Sequence, residues 1–197
     1  MRTFILQGVI GIFILSAAAC GSGRDLTGNQ DSVATSDTVA ASSTAATKAH
    51  ADIDATKSDT TGTGRADFSA KGDGTIDLNL KITFAKMANK SVAVHIHEHG
   101  DCSGAGMGAH GHWNPTNEPH GKWGAAAFHS GDIGNVTLNA NGEGTLTLNS
   151  NRWTIGGDEK TNILNRAIIV HSGVDDYQTQ PTGNAGSRIG CGLITAN

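Results

Sequence analysis

Seven of the nine histidines in this chain fall between Val92 and Asp132: His95, His97, His99, His110, His112, His120 and His129. An imidazole offers two ring nitrogens and binds transition metals while neutral. His95 and His97 stand two apart in Val-Ala-Val-His-Ile-His, a run that reads as a strand, so a period of two puts both rings on one face. The stretch that follows is Gly-rich and fits no regular element, which makes it a long functional loop. Within it His112, His120, His129 and Asp132 form a series that closes on a turn, His-Ser-Gly-Asp. Three imidazoles and one carboxylate fill the tetrahedral shell that zinc prefers. His95 and His97, with a partner from elsewhere in the chain, offer the all-imidazole setting that suits copper. The pattern predicts a two-metal site. A loose metal sponge would show repetitive tracts, whereas these spacings are uneven and gather at a strand end, which favours a built site.

Short alternating runs must carry these side chains. Ala51-Ile53-Ala55, Ala66-Phe68, Ile76-Leu78-Leu80-Ile82-Phe84 and Val92-Val94-Ile96 precede the loop. Ile133 to Leu138, Gly144 to Leu148, Ala167 to Val170 and Ile189 to Ile194 follow it. Asp73-Gly74 and Asn141-Gly142 are hairpin dipeptides, each between two such runs. Several short strands with repeated turn signals predict an all-β sandwich or barrel with long excursions. The first strands are sparse in large apolar residues and read as a weak barrel edge. No amphipathic helix of useful length is visible.

The N-terminus has a different character. Arg2, an apolar run from Phe4 to Leu15, and the small residues Ser16 to Ala19 have the grammar of a secretory signal, expected over residues 1–19. Cys20 directly after those small residues resembles the lipobox of bacterial lipoproteins, with Ala17 where leucine is commonest. Acylation of Cys20 would anchor the chain to a membrane. Residues 20–47 are built from Ser, Thr, Ala, Gly and Asp, cannot bury enough apolar surface to order themselves, and read as a tether. One domain is expected over residues 48–197. The chain has three cysteines, and an odd count in an exported protein asks for an explanation. If Cys20 carries lipid, Cys102 and Cys191 remain as one pair in an oxidising compartment. A net charge of −4 without a basic stripe gives no support to nucleic-acid binding.

His-Ile-His-Glu-His-Gly-Asp from His95, then His112-Trp-Asn-Pro, resembles the copper/zinc superoxide dismutases. So do His120-Gly, His129-Ser-Gly-Asp-Ile-Gly-Asn, Val170-His171 and Gly183-Asn-Ala-Gly-Ser-Arg-Ile-Gly-Cys-Gly. The resemblance covers residues 49–197, is strongest after Val92, and with Cys102 after Gly100-Asp101 points to the exported bacterial branch. It implies an eight-stranded Greek-key barrel, immunoglobulin-like in its sandwich character, with long metal-binding loops. It implies one copper ion on His95, His97, His112 and His171, and one zinc ion on His112, His120, His129 and Asp132. His112 would bridge the two ions through both ring nitrogens. Asp175 would link His95 to His120 from outside the ligand set. Arg188 would guide a small anion to the copper.

The implied activity is dismutation of superoxide to dioxygen and hydrogen peroxide, with copper cycling between Cu(II) and Cu(I) and His112 relaying a proton. An anchored enzyme of this kind would protect the cell envelope, as a periplasmic or membrane-held lipoprotein and as a monomer or homodimer. The chain departs from the family at His99 and His110, which are extra, and in its short uncharged loop 177–182. Anion steering is therefore expected to rest on Arg188 and Lys122. His110 is a conceivable competitor of His112, but the aromatic-Asn-Pro context and the step to His120 favour His112. A non-catalytic copper carrier is the rival function, and the full zinc set, Asp175 and Arg188 weigh against it. A copper-only dismutase would lack zinc ligands that are all present here.

Overall fold

Alternation of buried and exposed residues along the chain lays down a ladder of antiparallel strands. The structure, a computed structural model, describes residues 46–58 and 60–197. The expected signal segment, Cys20 and nearly all of the tether lie outside the described residues. Strands β1 (Lys48–Ala55), β2 (Thr63–Ala70) and β3 (Ile76–Thr83) form a meander, with β3 alternating most strictly: Ile76, Leu78, Leu80 and Ile82 are buried. They are followed by β4 (Ser91–His97), β5 (Gly134–Thr137), β6 (Glu143–Ser150), β7 (Ala167–His171), β8 (Arg188–Leu193) and a two-residue β9 (Thr195–Ala196). The hydrogen-bonded order is β5-β4-β7-β8-β1-β2-β3-β6, with β9 paired to β1. The two ends of that order, β5 and β6, lie alongside each other, so the sheet curls into a nearly closed barrel. The chain crosses from β3 to β4 and again from β6 to β7, which gives the expected Greek-key barrel.

Two details differ from expectation. Gly142 makes the tight turn its dipeptide predicts, at φ +78°, with its N–H donating to the Asn139 carbonyl. Yet it does not close a hairpin: β5 forms its ladder with β4, and β6 with β3. The turn instead carries the chain across the barrel seam, and turn chemistry alone does not say which strands will pair. Nor are β1 and β2 a weak edge. Each has partners on both sides, so backbone pairing and small buried residues such as Ala49, Ala51 and Ala66 do what large side chains would do elsewhere.

The core fills with Phe68, Phe84, Trp153 and the aliphatic rows of β3, β4 and β7. On β4 the residues Val92, Val94 and Ile96 point into that core, and Ile168 and Val170 do the same from β7. Period two therefore sends His95, His97 and His171 to the opposite face. There they are also buried, because the long loop folds over them. A tight turn over Ser103–Gly106, with Gly104 and Ala105 at φ +59° and +58°, begins directly after Cys102 in that loop. Cys102 is bonded to Cys191 on β8, with Cα atoms 5.8 Å apart and 89 residues between them in sequence.

Closing so long a segment stabilises the fold by about 4 to 5 kcal/mol through loss of freedom in the unfolded chain. A Cys102→Ser/Cys191→Ser variant should therefore unfold about 10 °C or more below the parent, by calorimetry on equally metal-loaded samples. A shift within about 2 °C would show that chain entropy is not what the bridge contributes.

Candidate metal centre

The loop over β4 is fixed by a small patch of extra ladder. His97 and His112 form an isolated antiparallel bridge, and the Trp113 N–H donates to the Ile96 carbonyl at 2.9 Å. Ile96 N–H donates in turn to the Gly131 carbonyl at 2.9 Å, and Gly131 N–H to that of Trp113 at 3.0 Å. Any side chain at Gly131 would put its Cβ 2.2 Å from the Ile96 carbonyl oxygen, so only glycine permits this approach. The patch brings His112 beside His97 and sets His129 and Asp132 on the other side of it. Trp153 Nε1–H donates to the Ser130 carbonyl at 2.8 Å, and Arg152 reaches the Phe128 carbonyl at 2.9 Å, bracing the same loop from β6 onward.

Two buried groups of donors result. His95, His97, His112 and His171 form one, and His112, His120, His129 and Asp132 the other, with the donor atoms of each within 4.8 Å of one another. All seven residues are at most 5% exposed. Every residue expected at the centre from the sequence is brought together. His112 belongs to both groups: its Nδ1 lies 2.8 Å from Asp132, and its Nε2 has no hydrogen-bond partner.

The donors are arranged for cations. His97 Nδ1 lies 2.9 Å from the His110 carbonyl oxygen, and His171 Nδ1 lies 3.3 Å from that of Gly186. A carbonyl can only accept, so each Nδ1 carries the proton and each Nε2 presents a lone pair. Those two Nε2 atoms face each other at 3.3 Å. Two lone pairs so placed repel unless a positive ion lies between them. Two more ring nitrogens, His95 Nδ1 and His112 Nε2, are buried without a hydrogen-bond partner, and the buried His120 Nδ1 and His129 Nδ1 have only the Asp132 carboxylate, at 3.0 and 3.2 Å. Buried orphans of this kind are costly. The residues present fit one metal ion in each group.

Asp132 and Asp175 complete the arrangement. Asp132 accepts from the backbone N–H of His129 at 2.8 Å and of Gly121 at 3.1 Å, which holds the carboxylate among His112, His120 and His129. Asp175, also buried, accepts from His95 Nε2 at 2.9 Å through one oxygen and from His120 Nε2 at 2.8 Å through the other. It thus joins a ring of one group to a ring of the other. Asn135 on β5 holds Asp175 by its backbone at both ends: Asn135 Nδ2 donates to the Asp175 carbonyl, and Asp175 N–H to Asn135 Oδ1, each at 2.9 Å. Gly183 packs so closely against this link that a Cβ there would stand 1.9 Å from Asp175 Oδ1. Gln180 makes paired bonds to the His120 main chain, accepting from its N–H at 2.8 Å and donating to its carbonyl at 2.9 Å. The uncharged loop 177–182 therefore clamps His120.

Charge balance follows from burial and partners. Desolvation lowers His97 well below the ordinary histidine value, His112 to about 4 and His171 to about 3, so these rings stay neutral and able to donate lone pairs. Burial would also lower His120, but hydrogen bonds to Asp132 and Asp175 outweigh it and raise the ring to about 9. Burial would raise Asp132 and Asp175, yet the histidine hydrogen bonds hold both well below the usual carboxylate range.

Arg188 is the cross-strand neighbour of His171, and its guanidinium donates to the backbone carbonyls of Gly106 and His110. Its charge reaches both His97 and His171. His99 and His110 point outward and join neither buried group. His110 is no rival to His112; its carbonyl serves His97 instead. Lys122 lies over the Tyr177 ring, 5.9 Å from its centroid. Asn135, Gln180, Arg152 and Trp153 were not singled out from the sequence. Asn135 stands inside the His-Ser-Gly-Asp-Ile-Gly-Asn string, but nothing in a string says that its amide will meet a loop 40 residues away.

Residues 62–194 match the family model described as copper/zinc superoxide dismutase (SODC). The chain is 34% identical over 152 residues to superoxide dismutase [Cu-Zn] 2 of Aquifex aeolicus, covering 75% of this chain and 86% of that protein. It is 32% identical over 135 residues to an extracellular superoxide dismutase [Cu-Zn] of Caenorhabditis elegans, covering 61% of this chain and 60% of that one. Among solved structures, that of the clock protein EA4 superposes with a TM-score of 0.68 at 30% identity, over 78% of this chain and 97% of the other.

The Asp175 link yields a direct test. Asp175→Ala frees the His95 and His120 rings together, so affinity for both ions should fall by about ten- to a hundredfold. Elemental analysis after dialysis against a graded chelator reads this out. Loss of one ion with full retention of the other would show that the carboxylate does not couple the two groups.

Proposed function

This chain belongs to the copper/zinc superoxide dismutase family, and we propose that its two buried donor groups divide the family's metals between them in a specific way. The enzyme is an oxidoreductase that dismutates superoxide with copper and zinc as cofactors. In the proposed assignment copper is held by His95, His97, His112 and His171, and zinc by His112, His120, His129 and Asp132. The donor chemistry supports it, since the first group is all imidazole and the second adds a carboxylate. When bound, copper would supply reversible one-electron chemistry, so that one superoxide is oxidised to dioxygen and a second is reduced to hydrogen peroxide, while zinc would be redox-silent.

The chain's own residues do the rest. Arg188 attracts superoxide and holds it beside His97 and His171, its direction fixed by the Gly106 and His110 carbonyls. His112 Nε2, without a hydrogen-bond partner, holds one of the two protons consumed per turnover and gives it to the departing peroxide. Asp132, 2.8 Å from the other edge of that ring, would share the zinc with His112 and so keep the ring in place. The observation that carries this reading is His112 itself, buried between the two groups with one nitrogen turned to each. A carrier would need neither the shared ring nor the tethered arginine.

The cell envelope is the proposed place of work, with Cys20 acylated and residues 21–47 as the tether. Support comes from the signal-like N-terminus, from the disulfide, which suits an oxidising compartment, and from the relative described as extracellular. Shielding the envelope from superoxide made outside the cytoplasm would follow from that location. Either a monomer or a homodimer is compatible with the proposed chemistry.

Replacing Arg188 with alanine should cut superoxide consumption by the metal-loaded protein at least about tenfold, with copper and zinc contents unchanged. Stopped-flow consumption together with elemental analysis decides it. A fully metal-loaded parent protein without appreciable turnover would overturn the enzymatic roles and bring the copper-carrier reading forward.

A further inference from the structure

Outside the buried centre, a third group of donors stands on the surface. The Glu98 carboxylate and the imidazoles of His99 and His110 have donor atoms within 4.8 Å of one another, and all three residues are exposed. The two rings meet edge to face, with centroids 4.6 Å apart and planes at 87°. Their positions come from the backbone as well as from side-chain rotation. Glu98 N–H donates to the Gly111 carbonyl at 3.0 Å, and His99 N–H to that of Ala109 at 3.2 Å, so the segments that carry the donors are tied across. Asp101 adds a further negative charge, near enough to interact with both histidines. The adjoining hollow is lined by two cations, Lys160 and Arg166, and Arg166 is committed elsewhere. It stacks on Trp113, 4.1 Å from the ring centroid, and donates to the carbonyls of Glu98, Glu159 and Asn162.

We propose that Glu98, His99 and His110 form a solvent-facing site for a divalent transition-metal ion, distinct from the buried centre and open to exchange. Two imidazoles and one carboxylate select copper or zinc over calcium or magnesium, which require oxygen ligands. Among divalent ions, Cu(II) binds such a set most tightly. Three protein donors leave coordination positions open to water or to a small donor molecule, unlike a closed structural site. The placement gives the site a consequence. The His110 carbonyl accepts from both His97 and the Arg188 guanidinium, so an ion held on the His110 ring adjoins the segment that orients both. It also adds positive charge beside the arginine.

The test uses the intact protein with its buried metals in place and counted by elemental analysis. The probe is Cu(II), added at equilibrium dialysis and followed by electron paramagnetic resonance. One further copper per chain is expected, with nitrogen coupling from the two surface rings. His99→Gln and His110→Asn should each weaken it by more than about tenfold, the lower bound for losing even an outer partner of a metal. Asparagine is chosen at position 110 because it removes the imidazole while keeping a short polar side chain on a residue with φ +60°. His50→Gln, which changes a half-buried histidine elsewhere on the surface, should leave the extra copper in place. Absence of the extra ion in the parent would overturn the proposal. So would an unchanged affinity in both the His99 and His110 variants, or loss of the ion in His50→Gln alone. Because the buried metals are counted first, failure here would leave the dismutase assignment untouched.

Discussion

Six imidazoles and two carboxylates packed into one dry volume cannot satisfy one another by hydrogen bonds alone. The carbonyls and carboxylates at the periphery take the protons that the rings can give, and every remaining lone pair then points inward. Two positive ions resolve this, and little else of that size could. The rest of the molecule is arranged around that constraint. The β4 and β7 strands hold three rings on one rigid face, the loop brings the others down onto it, and Asp175 reaches across to align one ring from each group. The barrel core on the opposite face of the same strands keeps the platform from yielding.

Polar groups at such a centre need support in depth, and that support comes from unspecialised residues. Asn135 steadies Asp175, Gln180 grips the main chain at His120, and Trp153 and Arg152 hold the carbonyls on either side of His129. Glycine contributes by absence, since at positions 131 and 183 the space for a Cβ is already taken. The loop 177–182, which looks featureless for want of charge, works as part of this scaffold. In the proposed mechanism, attraction of an anion then falls mainly to Arg188, on a chain whose net charge is −4.

Much of this was legible in the chain itself. Period-two alternation gave the strands, because a half-buried strand must alternate. The histidine spacing gave the His112, His120, His129 and Asp132 series and the His95–His97 pair, because few structures other than a metal site require such a set. His171 and the sharing of His112 came from the family resemblance. Legibility failed where the deciding contact is long-range. Asn141-Gly142 announces a turn, but which strands pair is settled by the closure of the whole barrel. Small residues in β1 and β2 suggested weakness, whereas their partners on both sides supply the stability. Asn135 and Gln180 carry no pattern of their own, since amides serve equally well on any surface.

The seam of the barrel has a consequence of its own. Strand β5 is short, and its backbone ladder runs only to β4 through four register pairs. Val136 anchors it in the core, and Asn135 fastens it to the loop that presents Asp175 to the metal-side rings. Filling the centre should therefore slow hydrogen–deuterium exchange along residues 134–137, and emptying it should let those amides exchange sooner than the rest of the barrel. Identical exchange in both states would mean that the ladder and the core hold the strand without help from the centre. Otherwise the edge of the sheet acts as a gauge, reporting in its backbone protons whether ions occupy a site that none of those protons touches.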